Sequence, residues 1–308
     1  MWRRRDSKRY IPSDLRRRLR ALSFHDPAED HATRRALQLR LDAHGVSVIG
    51  RTRRVNQDRF FVLPLEGSPV NCLLGVADGL GGHPGGMEAS GFVADTIQSF
   101  VREETPSLLR PGRGDGEIIE TLTRGLRRCH SVLQSAVERR PEYSGMGTTL
   151  TSALVIWPRY YLVHLGDSRG YHLHRGTLRR LTRDQTYGQA LVDAGVLTAE
   201  KMASSRWKYV VSNFITGKIP DEDPEVHPDV HVDQLHPGDS LLLCTDGLTD
   251  VITDHELERV MTGLDSAEHQ TLALVDVASA RSARDDATVL VARFGENGPD
   301  PGGRRRSR

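Results

Sequence analysis

The sequence contains little cysteine and no long apolar run. Its 308 residues include only three cysteines, an odd number, and each lies in an apolar segment where a thiol behaves as a small buried hydrophobe. A disulfide framework is therefore excluded. No segment approaches the ~20 apolar residues that a membrane-spanning helix requires, and the arginine-rich start lacks the apolar core of a secretory signal. These absences predict a cytoplasmic protein without a transmembrane segment.

The sequence also lacks a large net charge. Lys and Arg number 42 and Asp and Glu number 41, which gives a formal net charge of +1. This balance gives no reason to expect a nucleic-acid partner. Basic residues are concentrated at the two ends, in a predicted N-terminal extension over 1–40 and a predicted disordered tail over 296–308. Each end is either a solvated extension or a docking arm, and the sequence leaves both interpretations open.

Between these ends, the hydrophobic pattern predicts one domain over 41–295. The β-rich runs "GVSVIG", "DRFFVLP" and "VNCLLGVA" precede two amphipathic helices, a second group of strands, two further helices and a closing strand. The loop "TPSLLRPGRGDG" is predicted to join the first two helices. Because this order is not the alternation of a parallel sheet, it favours an α+β fold. We predict a four-layer α-β-β-α sandwich, with two antiparallel sheets between helix pairs.

Residues 184–213 differ in character from the rest of this domain. They contain the helix-like run "YGQALVDAGV" and then "TAEKMASSRWKYV", which is rich in polar groups and has no strong apolar face. A segment without an apolar face contributes little to a core. We predict that it forms an inserted, mobile subdomain.

Four short acidic motifs lie where predicted strands end. They are "VADGLGG" around Asp78, "HLGDSR" around Asp167, "LLLCTDGLTD" around Asp246 and Asp250, and "ARDDATVLV" around Asp285. One Asp-Gly pair is usually just a turn. Four carboxylate motifs at strand ends can instead face one site, where clustered like charges require a cation.

The available donors favour a hard cation at such a site. Carboxylate and carbonyl oxygens suit Mg²⁺ or Mn²⁺, whereas zinc favours histidine and cysteine. No cysteine pair has zinc-like spacing, and none of the thirteen histidines forms an obvious ligand pair. His172 and His174 alternate on a predicted strand, as do His227, Asp229 and His231. We interpret both sets as solvated strand faces.

Seven motifs occur in an order that is typical of one family. They are "RRVNQD", "VADGLGG", "GMGTTL", "LGDSRGY", "LTRDQT", "TDGLTD" and "RDDATVLV". This series resembles the metal-dependent protein phosphatases of type 2C over about residues 44–294, with residues 184–213 at the place of the family's flap. The resemblance implies two packed antiparallel sheets flanked by helix pairs. It also implies a bacterial-type enzyme that hydrolyses phosphoserine or phosphothreonine.

The resemblance implies a set of ligands for two Mn²⁺ or Mg²⁺ ions. Asp78 resembles the carboxylate that bridges the two ions, and Gly79 the residue whose carbonyl binds the second. Asp246 and Asp285 resemble the remaining carboxylates on the first ion. These four positions form the expected core of the metal site.

Further roles follow from the same resemblance. Asp167, Asp246 and Asp250 are similar to the set that holds a third, weaker ion in bacterial members. Arg53 matches the phosphate-binding arginine, since it lies five residues before Asp58, which resembles the residue that orients water at the metals. The implied reaction is direct displacement by an activated water, without a covalent phosphoenzyme. No nucleophilic cysteine or serine is therefore nominated.

Some positions depart from the family pattern or compete with an assigned residue. Arg54 neighbours Arg53 but is expected to point the other way, as adjacent residues of an extended segment do. Gln57 stands where many members have Glu, so it brings no charge to the second ion. Leu80 stands where eukaryotic members place a histidine, and nearby His83 is a weak substitute for a general acid. Asp286 replaces the usual Asn and is not expected to bind the metals.

The expected partners are phosphorylated proteins and a serine/threonine kinase that the enzyme opposes, and a monomer is expected. Two alternatives remain open at this point. The chain could be a pseudo-phosphatase that retains the fold as a binding module, or a phosphohydrolase that acts on small molecules. Activity on phosphopeptides separates both alternatives from the predicted phosphatase.

Overall fold

The computed structural model describes residues 39–80, 85–217 and 227–296. In chain order these residues form β1 (Leu39–Val48), β2 (Asp58–Pro64), β3 (Cys72–Leu80), α1 (Gly85–Leu108), α2 (Asp115–Arg139), β4 (Gly147–Thr148), β5 (Leu150–Ile156), β6 (Arg159–Leu165), β7 (Arg169–His174), β8 (Thr177–Arg180), α3 (Tyr187–Asp193), α4 (Ala199–Ala203), β9 (Ile215–Thr216), β10 (Asp229–Gln234), β11 (Ser240–Cys244), α5 (Asp246–Thr249), α6 (Asp254–Gly263), α7 (Ala267–Ala280) and β12 (Ala287–Glu296). Short 3₁₀ turns lie at Pro141–Tyr143 and Arg206–Tyr209.

The strands form two antiparallel sheets. One has the order β1-β12-β11-β7-β8, and the other has the order β10-β6-β5-β3-β4-β9, with β2 also paired to β3. The chain changes sheet between β6 and β7, at the motif "LGDSR". Gly166 has a φ of +118° at this change, a conformation that glycine adopts without a steric penalty. The motif that contains Asp167 is therefore the link between the two sheets.

Three apolar clusters separate four layers. One packs α1 and α2 against the sheet of β5, a second lies between the sheets, and a third packs α6 and α7 against the sheet of β11. Alternation along β11 directs Leu242 to the helix side and Leu243 to the space between the sheets. Full burial of each such leucine contributes about 1.5–3 kcal/mol. The predicted α-β-β-α sandwich is confirmed.

The helices follow from ordinary sequence signals. Buried residues of α2 recur every three or four positions, at Ile118, Leu122, Leu126, Cys129 and Leu133. At the start of α6, the hydroxyl of Thr253 accepts a hydrogen bond from the backbone N–H of Glu256. The Glu256 carboxylate in turn accepts one from the backbone N–H of Thr253, the N-cap residue. No helix in the described ranges is both long and apolar enough to cross a bilayer.

Two predicted boundaries were wrong. The first strand was predicted as the run "GVSVIG", but β1 begins at Leu39 and ends at Val48, because it pairs with β12 over ten consecutive positions. The predicted inter-helix loop began at Thr105, but α1 continues through Pro106 to Leu108, which is buried. Packing of this last turn outweighs the local cost of a proline in a helix. The predicted N-terminal extension, up to residue 38, and most of the basic tail lie outside the described residues.

Candidate metal centre

Strand ends bring the predicted carboxylates together. Asp58, the first residue of β2, lies opposite Asp78 of β3 in the strand register. Asp246 lies two residues after the end of β11, and Asp285 lies two residues before the start of β12, the neighbour of β11. Asp167 follows β6 at the link between the sheets. Asp78 experiences repulsion from all four of the other carboxylates, so that residues distant in sequence form one acidic centre.

Hydroxyl groups hold Asp58 in a fixed orientation. Its Oδ2 accepts hydrogen bonds from Thr245 Oγ1 at 2.8 Å and Thr288 Oγ1 at 2.6 Å. These threonines are linked in turn, because the backbone N–H of Thr288 donates to Thr245 Oγ1 at 2.9 Å. The sequence analysis missed both threonines. The available signal was their position, one residue before Asp246 and two residues after Asp286.

A similar network supports Asp78 and the neighbour of Asp167. The backbone N–H of Asp78 donates to Thr149 Oγ1 at 3.1 Å, and the backbone N–H of Thr149 donates to the Asp78 carbonyl at 2.9 Å. Thr149 Oγ1 also hydrogen-bonds to Ser168 Oγ at 3.0 Å. Hydroxyl groups thus hold the Asp58 carboxylate and the backbone at Asp78, and none of these contacts supplies a positive charge.

Burial and mutual repulsion make this charge costly. Burial and the neighbouring Asp58 and Asp246 carboxylates raise the pKa of Asp78 well above its ordinary value. Burial and Asp167 have the same effect on the pKa of Asp246. The pKa values of Asp58 and Asp167 rise to about 7, mainly because burial disfavours their charged forms.

Within the part of the chain that the structure describes, two buried oxygens of the centre have no hydrogen-bond partner. They are Asp58 Oδ1 and Asp246 Oδ1. A buried carboxylate oxygen without a partner is expensive, unless a cation binds it. An all-oxygen set of this kind fits Mg²⁺ or Mn²⁺. The residues present are therefore suited to the predicted divalent cations.

Arg53 lies in the same centre and binds Asp285. Its Nε donates to Asp285 Oδ1 at 2.6 Å, and its Nη2 donates to Oδ2 at 2.5 Å. The hydrogen bond with Asp285 raises the pKa of Arg53, so the guanidinium stays charged. Arg54, by contrast, is exposed, and it lies in a bend and not in the extended segment on which the alternation argument relied. The centre therefore contains one guanidinium that a phosphate could engage in the same bidentate way.

Comparison with known proteins identifies the family. The family model described as Protein phosphatase 2C matches residues 49–279, more than half of the chain. The chain belongs to the protein phosphatase 2C family. The serine/threonine protein phosphatase PstP of Mycobacterium tuberculosis is 36% identical over 220 residues, which are 71% of this chain and 40% of PstP. A putative protein phosphatase 2C-type of Streptococcus pyogenes is 31% identical over 79% of this chain and 93% of its own length.

Solved structures agree with this family. The catalytic domain of PstP in complex with two manganese ions is 31% identical and has a TM-score of 0.68, over 84% of this chain and all of that domain. This chain spans only 40% of the length of PstP itself. These comparisons confirm the predicted family and fold, and the predicted phosphatase class and manganese-type cofactor are those named for these relatives.

Positions that depart from the protein phosphatase 2C pattern have structural explanations. Asp286 is 1% exposed, and its two oxygens accept hydrogen bonds from the backbone N–H groups of Gly50 and Gln57, each at 2.8 Å. It therefore supports the loop that carries Arg53. Gln57 is buried, and its Oε1 accepts a long hydrogen bond from Arg53 Nη1 at 3.4 Å.

Gly79 lies where the backbone is crowded. A Cβ at this position would lie 2.1 Å from the carbonyl oxygen of Gly86 and 2.9 Å from that of Gln57. No other residue fits without displacing the start of α1. The residue after Asp78 must therefore be glycine, because α1 and the loop before Asp58 both lie against it. His83, the weak candidate for a general acid, lies outside the described residues.

A cavity of about 190 Å³ joins the acidic centre to residues 184–213, the flap. Four acidic residues and several other flap residues are among those that line it: Asp167, Asp184, Asp246, Asp250, Gln189, Met202, Lys208 and Tyr209. Lys208 Nζ lies 3.4 Å from Asp250 Oδ1. Asp184 forms a bidentate pair with Arg169 at 3.0 and 2.7 Å, an interaction that the sequence analysis did not assign within its motif "LTRDQT".

Proposed function

We propose that this chain hydrolyses phosphoserine and phosphothreonine in proteins, by direct attack of a water that divalent cations help to activate. One observation carries the proposal. Buried carboxylates converge from separate strand ends, and Asp58 Oδ1 and Asp246 Oδ1 are left without a partner. Such a centre is suited to cations that bind both an attacking oxygen and a phosphate.

We assign Asp78, Asp246 and Asp285, with the Gly79 carbonyl, to the two core ions. Asp167 and Asp250 join Asp246 as ligands of a third, weaker ion. When bound, Mn²⁺ or Mg²⁺ supplies Lewis acidity that lowers the pKa of water and neutralises phosphoryl oxygens. The hydroxyl contacts keep Asp58 and the backbone at Asp78 in place before ions would bind, which reduces the reorganisation that binding requires.

Arg53 and Asp58 act on the substrate and on water. Arg53 holds the phosphate by its fork, and its interaction with Asp285 keeps the guanidinium at the centre until a substrate competes for it. Asp58 uses Oδ2 to accept from the two threonines, so its Oδ1 is available to accept a proton from the attacking water. Together they orient phosphate and water for in-line displacement.

The flap contributes to substrate choice. Its residues line the cavity beside the acidic centre. The side chain of Lys208 is partly exposed, so its ammonium group can contact a backbone carbonyl or an acidic side chain of a phosphopeptide. We propose a domain over 41–295 that acts in the cytoplasm as a monomer, on proteins phosphorylated by a serine/threonine kinase. Adaptable contacts around the phosphate suit a range of phosphoproteins.

The test is phosphate release under metal titration and chelator reversal. The purified chain is assayed with Mn²⁺ or Mg²⁺ on a phosphothreonine peptide, on para-nitrophenyl phosphate and on small phosphate monoesters. Asp246→Asn is compared with Asp276→Asn, an exposed aspartate on α7. We expect metal-dependent release from the peptide, abolished by EDTA and by Asp246→Asn only. Release from small molecules alone, or from none of the substrates, would overturn the proposal.

A further inference from the structure

A second group of metal-ligand side chains lies at the other end of β7 and β11. His172 and His174 alternate on β7 and so share one face. Asp239 directly precedes β11, whose first residue lies opposite Leu173 in the strand register. Asp167 and Asp246 lie at the opposite ends of the same two strands. At ~3.3 Å per residue, β7 separates the two groups by ~17 Å.

One buried carboxylate lies among three imidazoles. His172 Nε2 lies 3.0 Å from Asp239 Oδ2, and His174 Nδ1 lies 2.7 Å from Oδ1. His236 Nδ1 lies 3.5 Å from Oδ2, and the His236 ring centroid is 5.0 Å from that of His174. The side chain of Asp239 is 3% exposed. The ligand atoms of His172, His174 and Asp239 all lie within 4.8 Å of one another.

We propose that His172, His174 and Asp239 form a zinc-class metal site, distinct from the phosphatase centre, with His236 at the fourth position. Two or three imidazoles and one carboxylate are a donor set for Zn²⁺, Co²⁺ or Ni²⁺ rather than for Mg²⁺. In a tetrahedral site with bonds of ~2.1 Å, ligand atoms are ~3.4 Å apart. The observed separations, 3.0 and 2.7 Å for the two hydrogen-bonded pairs and at most 4.8 Å within the set, lie on both sides of this value, so binding requires side-chain shifts as the metal replaces imidazole protons.

The surroundings support this assignment. The Nδ1 of His172 lies 3.4 Å from the Tyr160 hydroxyl, which leaves Nε2 directed at the site, as outer-shell bonds do for metal-binding histidines. The Asp239 carboxylate also accepts a hydrogen bond from the backbone N–H of His236 at 2.8 Å, so donors from three residues fix its orientation toward the imidazoles.

Access to the site is provided by a cavity of about 450 Å³, lined by His172, His174 and His236. This volume exceeds the ~30 Å³ share of a water many times over. Arg179 also lines the cavity, but its charge is paired with Asp233 at 2.6 Å. An ion with its hydration water can therefore reach the imidazoles from solvent.

The site would connect three segments of the fold. His172 and His174 belong to β7, Asp239 lies at the start of β11, and His236 lies in the loop after β10. β10 belongs to the opposite sheet. A bound ion would therefore cross-link the two sheets at the end remote from the phosphatase centre, and it would stabilise the folded state by linkage.

The experiment uses the full chain, stripped of metal and then held in excess Mg²⁺ so that the oxygen-ligand centre is occupied. Zn²⁺ alone is titrated in competition with a chromophoric chelator. We expect one equivalent to bind the wild type, Asp246→Asn and the exposed-histidine control His255→Gln. His174→Gln should lose this equivalent while it keeps Mn²⁺-dependent activity. An equal zinc stoichiometry in His174→Gln, or loss of the equivalent in Asp246→Asn, would overturn the proposal.

Two further measurements test the proposal even if His174→Gln fails to fold. Zn²⁺ should raise the Tm of the wild type in excess Mg²⁺, and His174→Gln should show no rise. The visible absorption of Co²⁺ bound to the wild type, which needs no variant, should have the intensity of a tetrahedral site with nitrogen ligands. A weak octahedral spectrum would mean that the histidines are joined to Asp239 by hydrogen bonds alone.

Discussion

The two ends of β7 and β11 carry acidic groups in opposite electrostatic states. At the phosphatase end, Asp167 and Asp246 are surrounded by other carboxylates, and one oxygen of Asp246 has no partner. At the histidine end, Asp239 accepts hydrogen bonds from two imidazoles and a backbone N–H. The comparison teaches that carboxylate oxygens without hydrogen-bond partners make one sheet end suited to bind cations. At the other end, the hydrogen bonds to the Asp239 carboxylate contribute to stability.

The largest expected effect is on activity at the phosphatase end. Asp246→Asn should lower Mn²⁺-dependent phosphate release by at least about 100-fold, since even outer-shell changes at metal sites cost ~10–100-fold. Asp78→Ala should do the same, and both variants should stay folded because strand-end carboxylates do not fill the core. Asp239→Asn, the matched change at the histidine end, should keep its activity. Equal losses at the two ends would remove the functional distinction between them.

The two arginine pairs provide the next contrast. Arg53→Ala should lower kcat/KM by ~100-fold, as loss of a charge-stabilising donor does in other enzymes. Arg53→Lys should recover only part of this loss, because lysine has no planar fork. Arg179→Ala removes the counterpart that pairs with Asp233 near the histidines and should leave kcat/KM unchanged. A wild-type value for Arg53→Ala would exclude it as the phosphate ligand.

A third test concerns Asp286, a carboxylate at the phosphatase end whose two oxygens both have hydrogen-bond donors. Asp286→Asn restores the usual residue of the family, but here both oxygens accept backbone N–H groups. An asparagine amide group would face one of these donors, so we expect a loss of ~1–3 kcal/mol in the free energy of unfolding. Urea denaturation measures it, with Asp276→Asn as the neutral control. Unchanged stability would show that Asp286 is not required as a double acceptor.

Uncompensated charge should also make the metal-free protein sensitive to pH. The pKa of Asp58 is about 7 in the folded state, above the ~3.9 of an unfolded aspartate. Between these values the folded state binds more protons at Asp58, so the stability that this group contributes is fully present below about pH 4 and is lost as the pH rises to about 7.

Calorimetry in EDTA measures this slope. Asp58→Asn should flatten it, and Asp276→Asn should not. Metal binding requires deprotonated ligands, so added Mg²⁺ should raise the Tm more at pH 8 than at pH 5. If the Tm of the metal-free protein does not fall between about pH 4 and about 7, the carboxylates of the centre do not carry the uncompensated charge inferred here.

The smallest expected effect concerns the flap. Lys208→Ala removes the contact with Asp250, and an exposed ion pair contributes under ~1 kcal/mol, or less than about fivefold. We expect a change in KM for a phosphopeptide and little change for para-nitrophenyl phosphate. Lys201→Ala, an exposed change on α4, is the control. Equal effects of Lys208→Ala on both substrates would argue against a role of the flap in peptide choice.

Local patterns predicted most of the secondary structure and the main acidic residues. The apolar runs that lead to Asp78 and Asp246 identified strand ends, because alternation and turn residues are local signals. Asp285, by contrast, lies before β12 and not at the end of a strand. Helix ends were predicted less well, since tertiary burial of Leu108 extends α1 beyond Pro106. The histidines of β7 were interpreted as a solvated strand face, but His172 is buried, because the second sheet covers it.

The sequence by itself determined the family, the order of strands and helices and the identity of the oxygen donors, because motifs and hydrophobic periodicity are properties of neighbouring residues. Only the tertiary structure decided which hydroxyls orient Asp58, that Arg53 pairs with Asp285, and that Asp239 lies among three histidines. These contacts join residues from separate strands and loops. Their geometry depends on how the two sheets pack, which no local pattern specifies.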